Sequence, residues 1–172
     1  MPQLLLVRHG EPERKGVLLG QLNVGLSAEG AAQARKALSA LDAAVCYTSP
    51  LRRAQETAAF LPEAIPRVIL PQLAEIGMGD WEGMRWTEVE DEWPELALKK
   101  LQNWFGIPAP GGERWEEIVA RAEQALAMIR MGPFPAIVVG HQGLHAVLDS
   151  LLSGRRPEGF VQDYCEVRNY DL

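Results

Sequence analysis

The chain has 172 residues, 47% of them apolar and 23% charged, and 17 basic against 23 acidic side chains leave a net charge of −6. Against a typical domain of ~150 residues, this length predicts one domain over residues 1–172, with enough core to fold unaided. The composition excludes a mainly disordered chain, and the acidic balance argues against a general binder of nucleic acid or anionic membrane.

Gln3–Val7 (QLLLV) is a short apolar run that opens onto Arg8-His9-Gly10, which predicts a buried strand ending in a functional loop. Ser27 can cap a helix running to about Ala40, with Ala28, Ala31, Ala34 and Leu38 on its apolar face. Ala44–Tyr47 is a second strand. Ser49-Pro50 then predicts a capping residue with proline at the first helical position, opening a helix from Leu51 to Phe60. Arg67–Leu70, between Pro66 and Pro71, is a third strand, and residues 77–83 form a glycine-punctuated loop. Trp86–Phe105 is helical with a break at Pro94, and Glu113–Met131 is a helix after Pro110-Gly111-Gly112. Ala136–Val139 is a fourth strand, Gly143–Leu152 the helix after it, and Tyr164–Tyr170 a final edge strand. Strands alternating with helices define an α/β three-layer sandwich with a mostly parallel central sheet.

Cys46 and Cys165 supply neither a disulfide framework nor a CxxC pair and read as small buried apolar residues. The N-terminus lacks a basic leader region, and the longest stretch free of Asp, Glu, Lys and Arg, Met131–Leu148, carries two prolines and three glycines. A membrane helix is therefore not expected, and a cytoplasmic location is.

In parallel α/β folds, ligands sit beyond the carboxyl ends of the strands. His9 follows the first strand and His141 the fourth, each beside glycine, while Arg52 and Arg53 follow the second and Glu75 follows the third. One pocket edge would then gather two imidazoles, Arg8, one of Arg52 or Arg53, and a carboxyl group. That set suits phosphoryl transfer without metal or cofactor. An imidazole attacks phosphorus, guanidiniums hold the equatorial oxygens, and a carboxylic acid protonates the departing alkoxide. The plainer alternative is that each residue caps or pairs a loop.

The motifs select between these readings. Leu6-Val7-Arg8-His9-Gly10-Glu11 resembles the RHGE signature of the histidine phosphatase superfamily, which includes the cofactor-dependent phosphoglycerate mutases. The resemblance continues in order through Leu26-Ser27-x-x-Gly30-x-x-Gln33-Ala34, Ser49-Pro50-Leu51-Arg52-Arg53-Ala54-x-x-Thr57-Ala58 and Leu73-x-Glu75-Ile76-x-x-Gly79-x-Trp81-Glu82-Gly83. Pro110-Gly111-Gly112-Glu113 and Gly140-His141-Gln142-Gly143 complete it. It implies a phosphoglycerate mutase-like fold, with His9 as the nucleophile that becomes phosphohistidine. It further implies that Arg8, Arg53 (rather than Arg52), His141 and Gln142 hold the phosphoryl group, with His141 cationic or hydrogen-donating. Glu75 would give the leaving group its proton and then draw one from water. The activity so implied is a metal-independent phosphomonoester hydrolase of the acid phosphatase type, acting on a small phosphorylated metabolite. The alternative is a cofactor-dependent phosphoglycerate mutase, followed by a non-catalytic binding module. A homodimer is left open.

The chain departs from the family pattern where Pro12 and Lys15 replace a hydroxyl and an amide. It also departs at Leu18-Leu19-Gly20, with Gln21 near enough to reach in, at Arg114, and at Ala146, where a basic residue is often found. His141 and His145 form HxxxH, but without the glutamate of HExxH, and Gly143 places His141 ahead of the helix, so zinc is set aside. The five tryptophans read as core or lid, and the acidic run Glu88–Glu92 as a solvated helix face.

Overall fold

The computed structural model describes residues 1–172. Five strands, β1 (Gln3–Arg8), β2 (Val45–Thr48), β3 (Arg67–Ile69), β4 (Ala136–Gly140) and β5 (Val167–Asp171), form one sheet in the order β3-β2-β4-β1-β5. The first four run parallel. β5 closes the edge antiparallel to β1, with Leu5 opposite Asn169. Six helices surround the sheet: α1 (Ala28–Leu38), α2 (Arg52–Ala58), α3 (Trp86–Glu92), α4 (Pro94–Gln102), α5 (Trp115–Arg130) and α6 (Gln142–Ser153).

Because strand side chains alternate faces, the apolar runs fill both sides of the sheet. Leu5, Val7, Cys46, Ile137 and Val139 pack with Ala34 and Leu38 of α1 and Ala54 and Ala58 of α2. Leu4, Leu6, Val45, Tyr47 and Val138 pack on the opposite side against Ile118 and Leu126 of α5 and Leu144 and Leu148 of α6. These are the three layers expected. Trp81, Val89 and Ala97 extend the second cluster under α3 and α4, where Trp86, Trp93 and Trp104 pack at its margin. Both cysteines are buried and unpaired. No helix is long and apolar enough to cross a membrane.

Several boundaries move for identifiable reasons. Ser27 caps α1 as expected, accepting from the Gly30 N–H at 3.0 Å. Ser49 does not cap α2. The chain stays extended through Leu51, the helix starts at Arg52, and the Ser49 hydroxyl accepts from the Leu51 N–H at 3.2 Å while meeting His141 at 2.7 Å. α5 begins at Trp115 because Glu117 reaches back to the Arg114 N–H (2.9 Å), leaving Glu113 to other partners. β5 begins at Val167, because Cys165 adopts φ +58° in a turn closed by Glu166 N–H to Asp163 O.

Candidate active site

The carboxyl ends of β1, β2 and β4 meet below a cavity of about 680 Å³ bordered by Arg8, His9, Arg53, Glu75 and Gln142. His141 is fully buried and off the cavity surface, with its ring centroid 5.1 Å from that of His9. The six residues singled out by the motifs therefore converge, five on the wall and one beside the His9 ring.

His9 leaves β1 with its Nδ1 2.6 Å from Gly10 O. A carbonyl only accepts, so the ring proton sits on Nδ1 and Nε2 keeps its lone pair. Gly10 is held in turn, its N–H donating to Thr57 Oγ1 (3.0 Å), whose hydroxyl donates to Arg53 O (2.7 Å). A side chain at Gly10 would stand 2.5 Å from Gly30 O, so β1 and α1 approach this closely only because the residue is glycine. Burial pushes His9 down to about 3 despite the Gly10 hydrogen bond, with the Arg53 and Arg8 charges adding to the effect. The imidazole is a neutral base across the ordinary pH range.

The two arginines are fixed by main-chain carbonyls. Arg53 donates to Leu22 O (2.6 Å) and Gly20 O (2.8 Å), and Arg8 donates to Gln162 O (2.7 Å) with its guanidinium 4.2 Å from the Tyr164 ring centre. Each keeps a buried Nε–H without a partner, and His141 Nδ1 is likewise buried and unpartnered. Buried polar atoms are ordinarily satisfied, so three such atoms on neighbouring residues mark a place prepared for an acceptor. Arg52, by contrast, lies exposed and pairs with Glu56 at 2.8 Å.

His141 is the N-cap of α6, with Nε2 2.7 Å from Ser49 Oγ. Burial, then the neighbouring His9 and Arg53, hold its pKa well below the usual imidazole range. That direction favours a neutral His141 in the free site. Glu75 arrives on the segment after β3 and lies at the start of α6. Oε1 accepts from Ile76 N–H (2.8 Å) and Leu144 N–H (3.0 Å), and Oε2 accepts from Gly143 N–H (3.1 Å). A side chain at Gly143 would stand 2.6 Å from Glu75 Oε1, so the motif glycine is what admits the carboxyl group.

The sequence did not expose Arg121. From α5 it donates to Gln72 O, Ala74 O and Glu75 O (2.8, 2.7 and 3.1 Å) and pairs with Glu113 at 2.7 Å, while Glu113 accepts from Gly77 N–H. Its one trace in the sequence is an arginine among the apolar residues Ile118, Ala122 and Ala125 of α5. Lys15 pairs with Glu11 at 3.3 Å, and Gln21 donates to Glu75 O at 3.1 Å. His145 is buried against Gln162 at 2.8 Å, and no three ligating side chains are grouped to hold a metal ion.

The fold and site are those of an α/β protein whose mostly parallel sheet presents two histidines and two arginines near its strand ends. A family model described as histidine phosphatase superfamily (branch 1) matches residues 4–171, and the chain belongs to that superfamily. It is 32% identical over 159 residues to a 2,3-bisphosphoglycerate-dependent phosphoglycerate mutase of Parvibaculum lavamentivorans, covering 85% of this chain and 74% of the relative. Among solved structures, a mycobacterial glucosyl-3-phosphoglycerate phosphatase superposes with TM-score 0.87 at 25% identity, covering 98% of this chain and 89% of the other. The alpha-ribazole phosphatase from Shigella flexneri superposes with TM-score 0.87 at 27% identity, covering 99% and 90%. The relatives thus include both mutases and phosphatases.

Proposed function

We propose that residues 1–172 act as one domain that hydrolyses phosphate monoesters through a phosphohistidine on His9, without a metal ion. The observation that carries this reading is the convergence of His9, with a lone pair on Nε2, and of Arg8 and Arg53, each with an unpartnered Nε–H, on the wall of one cavity. The Nε2 lone pair attacks phosphorus and the bond from phosphorus to the ester oxygen breaks. The positive charge left on the ring is supported by the Nδ1–H bond to Gly10 O. Arg8 and Arg53 bind the phosphoryl oxygens, joined by the Gln142 side chain at the wall. The Ser49 hydroxyl, which accepts from Leu51 N–H, has its own proton free to donate to His141 Nε2; with that direction the His141 ring proton sits on Nδ1, ready for an acceptor.

Glu75 serves as proton donor to the departing alkoxide. A carboxyl group offers about four lone-pair sites, and three are taken by main-chain N–H groups, which leaves one site on Oε2 for the transferred proton. After the alcohol leaves, the Glu75 carboxylate takes a proton from water as that water attacks the phosphohistidine. His9 is returned neutral and phosphate is released.

The mutase relatives favour a second reading, in which the phosphoryl group returns to the substrate. A mutase must keep water from the phosphohistidine while its substrate turns, which takes a closed pocket. Here Leu101 and Val161 border the cavity and remain exposed, so hydrolysis is the better-supported outcome. Incubation of 3-phosphoglycerate with a trace of 2,3-bisphosphoglycerate separates the two. Free phosphate should exceed 2-phosphoglycerate; rapid isomerisation with negligible phosphate would overturn the hydrolase reading.

A further inference from the structure

Away from the phosphate end, the cavity wall changes character. Leu18 and Leu19 come from the segment before α1, Leu101, Trp104 and Phe105 from the end of α4 and beyond, and Phe160 and Val161 from the segment before β5. Two of the positions where the chain departs from the family pattern toward apolar residues, Pro12 and Ala146, lie on the same wall. Leu101 and Val161 are 57% and 64% exposed, an apolar rim continuous with the interior.

The three cations on this part of the wall already have partners. Arg14 donates to Gly83 O, Lys15 pairs with Glu11, and Lys100 donates to Ile107 O (2.6 Å) with its ammonium 4.9 Å from the Trp104 ring centre. Burial pushes Lys100 down to about 8, a mark of how dry its surroundings are. Glu158 adds a carboxylate to the wall, which opposes a second anionic group on a substrate, whereas Glu113 is neutralised there by Arg121. The volume of about 680 Å³ sits within the ~300–1,000 Å³ that holds a drug-sized ligand.

We infer that the preferred substrates are phosphate monoesters of bulky apolar alcohols, arylalkyl phosphates being the simplest, with the leaving group lying against Leu101, Trp104, Phe105, Phe160 and Val161. The inference rests on the hydrolase reading and adds discrimination against small polyanionic esters. Only the apolar leaving group covers the exposed rim, and only a small polyanion brings a second charge to a wall whose cations are engaged.

The test compares kcat/KM for 2-phenylethyl phosphate, ethyl phosphate and 3-phosphoglycerate. All are alkyl esters, so the chemical step is similar. The phenylethyl ester should exceed the other two by at least about tenfold, equivalent to about 1.4 kcal/mol. Leu101→Asp together with Val161→Asp, at two exposed positions, should reduce the ratio of phenylethyl to ethyl turnover about tenfold. In parallel, calorimetry with non-hydrolysable 2-phenylethylphosphonate and ethylphosphonate should show the same preference in Kd. Turnover of all three esters without preference, or equal phosphonate affinities, would overturn the inference and leave the hydrolase reading standing. Absence of turnover with the phosphonate preference intact would instead overturn the hydrolase reading and uphold the binding preference.

Discussion

Acidification from pH 7 to pH 5 should destabilise this fold by several kcal/mol through its three histidines alone. His9, His141 and His145 are all buried, with relative exposures of 5%, 0% and 0%. Burial pushes His9 down to about 3 and His145 to about 4, so both are neutral in the folded chain at pH 5, and it lowers His141 well below the usual range as well. In the unfolded chain each titrates near ~6.5, so below that pH the unfolded state binds more protons and stability must fall as pH falls. From pH 7 to 5 His9 and His145 each contribute a loss of about 2 kcal/mol, on the order of 4 kcal/mol together out of a typical total of ~5–15. His141, shifted in the same direction, adds to it. The loss continues toward pH 4 and then levels off, first for His145 and next for His9, as each begins to protonate in the folded state. Urea titrations at pH 7, 6 and 5 and constant ionic strength would measure it. The window lies above the ordinary carboxylate range, so the histidines dominate the slope. A midpoint that stays constant from pH 7 to 5 would refute the claim that the three imidazoles are held neutral by burial.

Three further outcomes follow from the site. Gly143→Ala should displace Glu75 from the start of α6, because the new methyl would stand 2.6 Å from Oε1. A fall in kcat of ~10²-fold or more with an unchanged circular dichroism spectrum would match loss of general acid–base help, whereas wild-type kcat would contradict the role given to Glu75. Arg121→Leu should remove the anchor of three carbonyls and leave Glu113 unpaired. Thermal melts should show a loss of about 3 kcal/mol, with kcat reduced more than KM is raised; an unshifted melt would dismiss the anchoring. Exhaustive chelation should leave turnover intact, since Arg8 and Arg53 supply the cationic charge a metal ion supplies elsewhere; a loss restored by zinc or magnesium would contradict this.

The strands β1, β2 and β4 were legible because each is an apolar run bounded by turn residues, and the ends of β1 and β4 located His9 and His141. The order β3-β2-β4-β1-β5 was not legible, since parallel neighbours are joined through crossovers that leave no local trace. Ser49 misled because Ser-Pro is a strong helix-start signal, whereas its hydroxyl is engaged with Leu51 and His141. The turn at Cys165 was hidden because a cysteine at positive φ has no sequence signature. Arg121 escaped for a different reason: the carbonyls it anchors lie 46 to 49 residues away, beyond any periodicity. Choosing Arg53 over Arg52 took the family pattern; in the structure Arg53 is buried at the cavity wall and Arg52 is paired on the surface.

The central claim is that His9 carries the phosphoryl group. The most direct measurement is rapid acid-free quenching with a 32P-labelled ester, followed by peptide mapping of the trapped protein. An acid-labile, alkali-stable phosphate should appear on the peptide that contains His9, and His9→Ala should lose both that label and most turnover. Full turnover by His9→Ala, or label on any other residue, would contradict it.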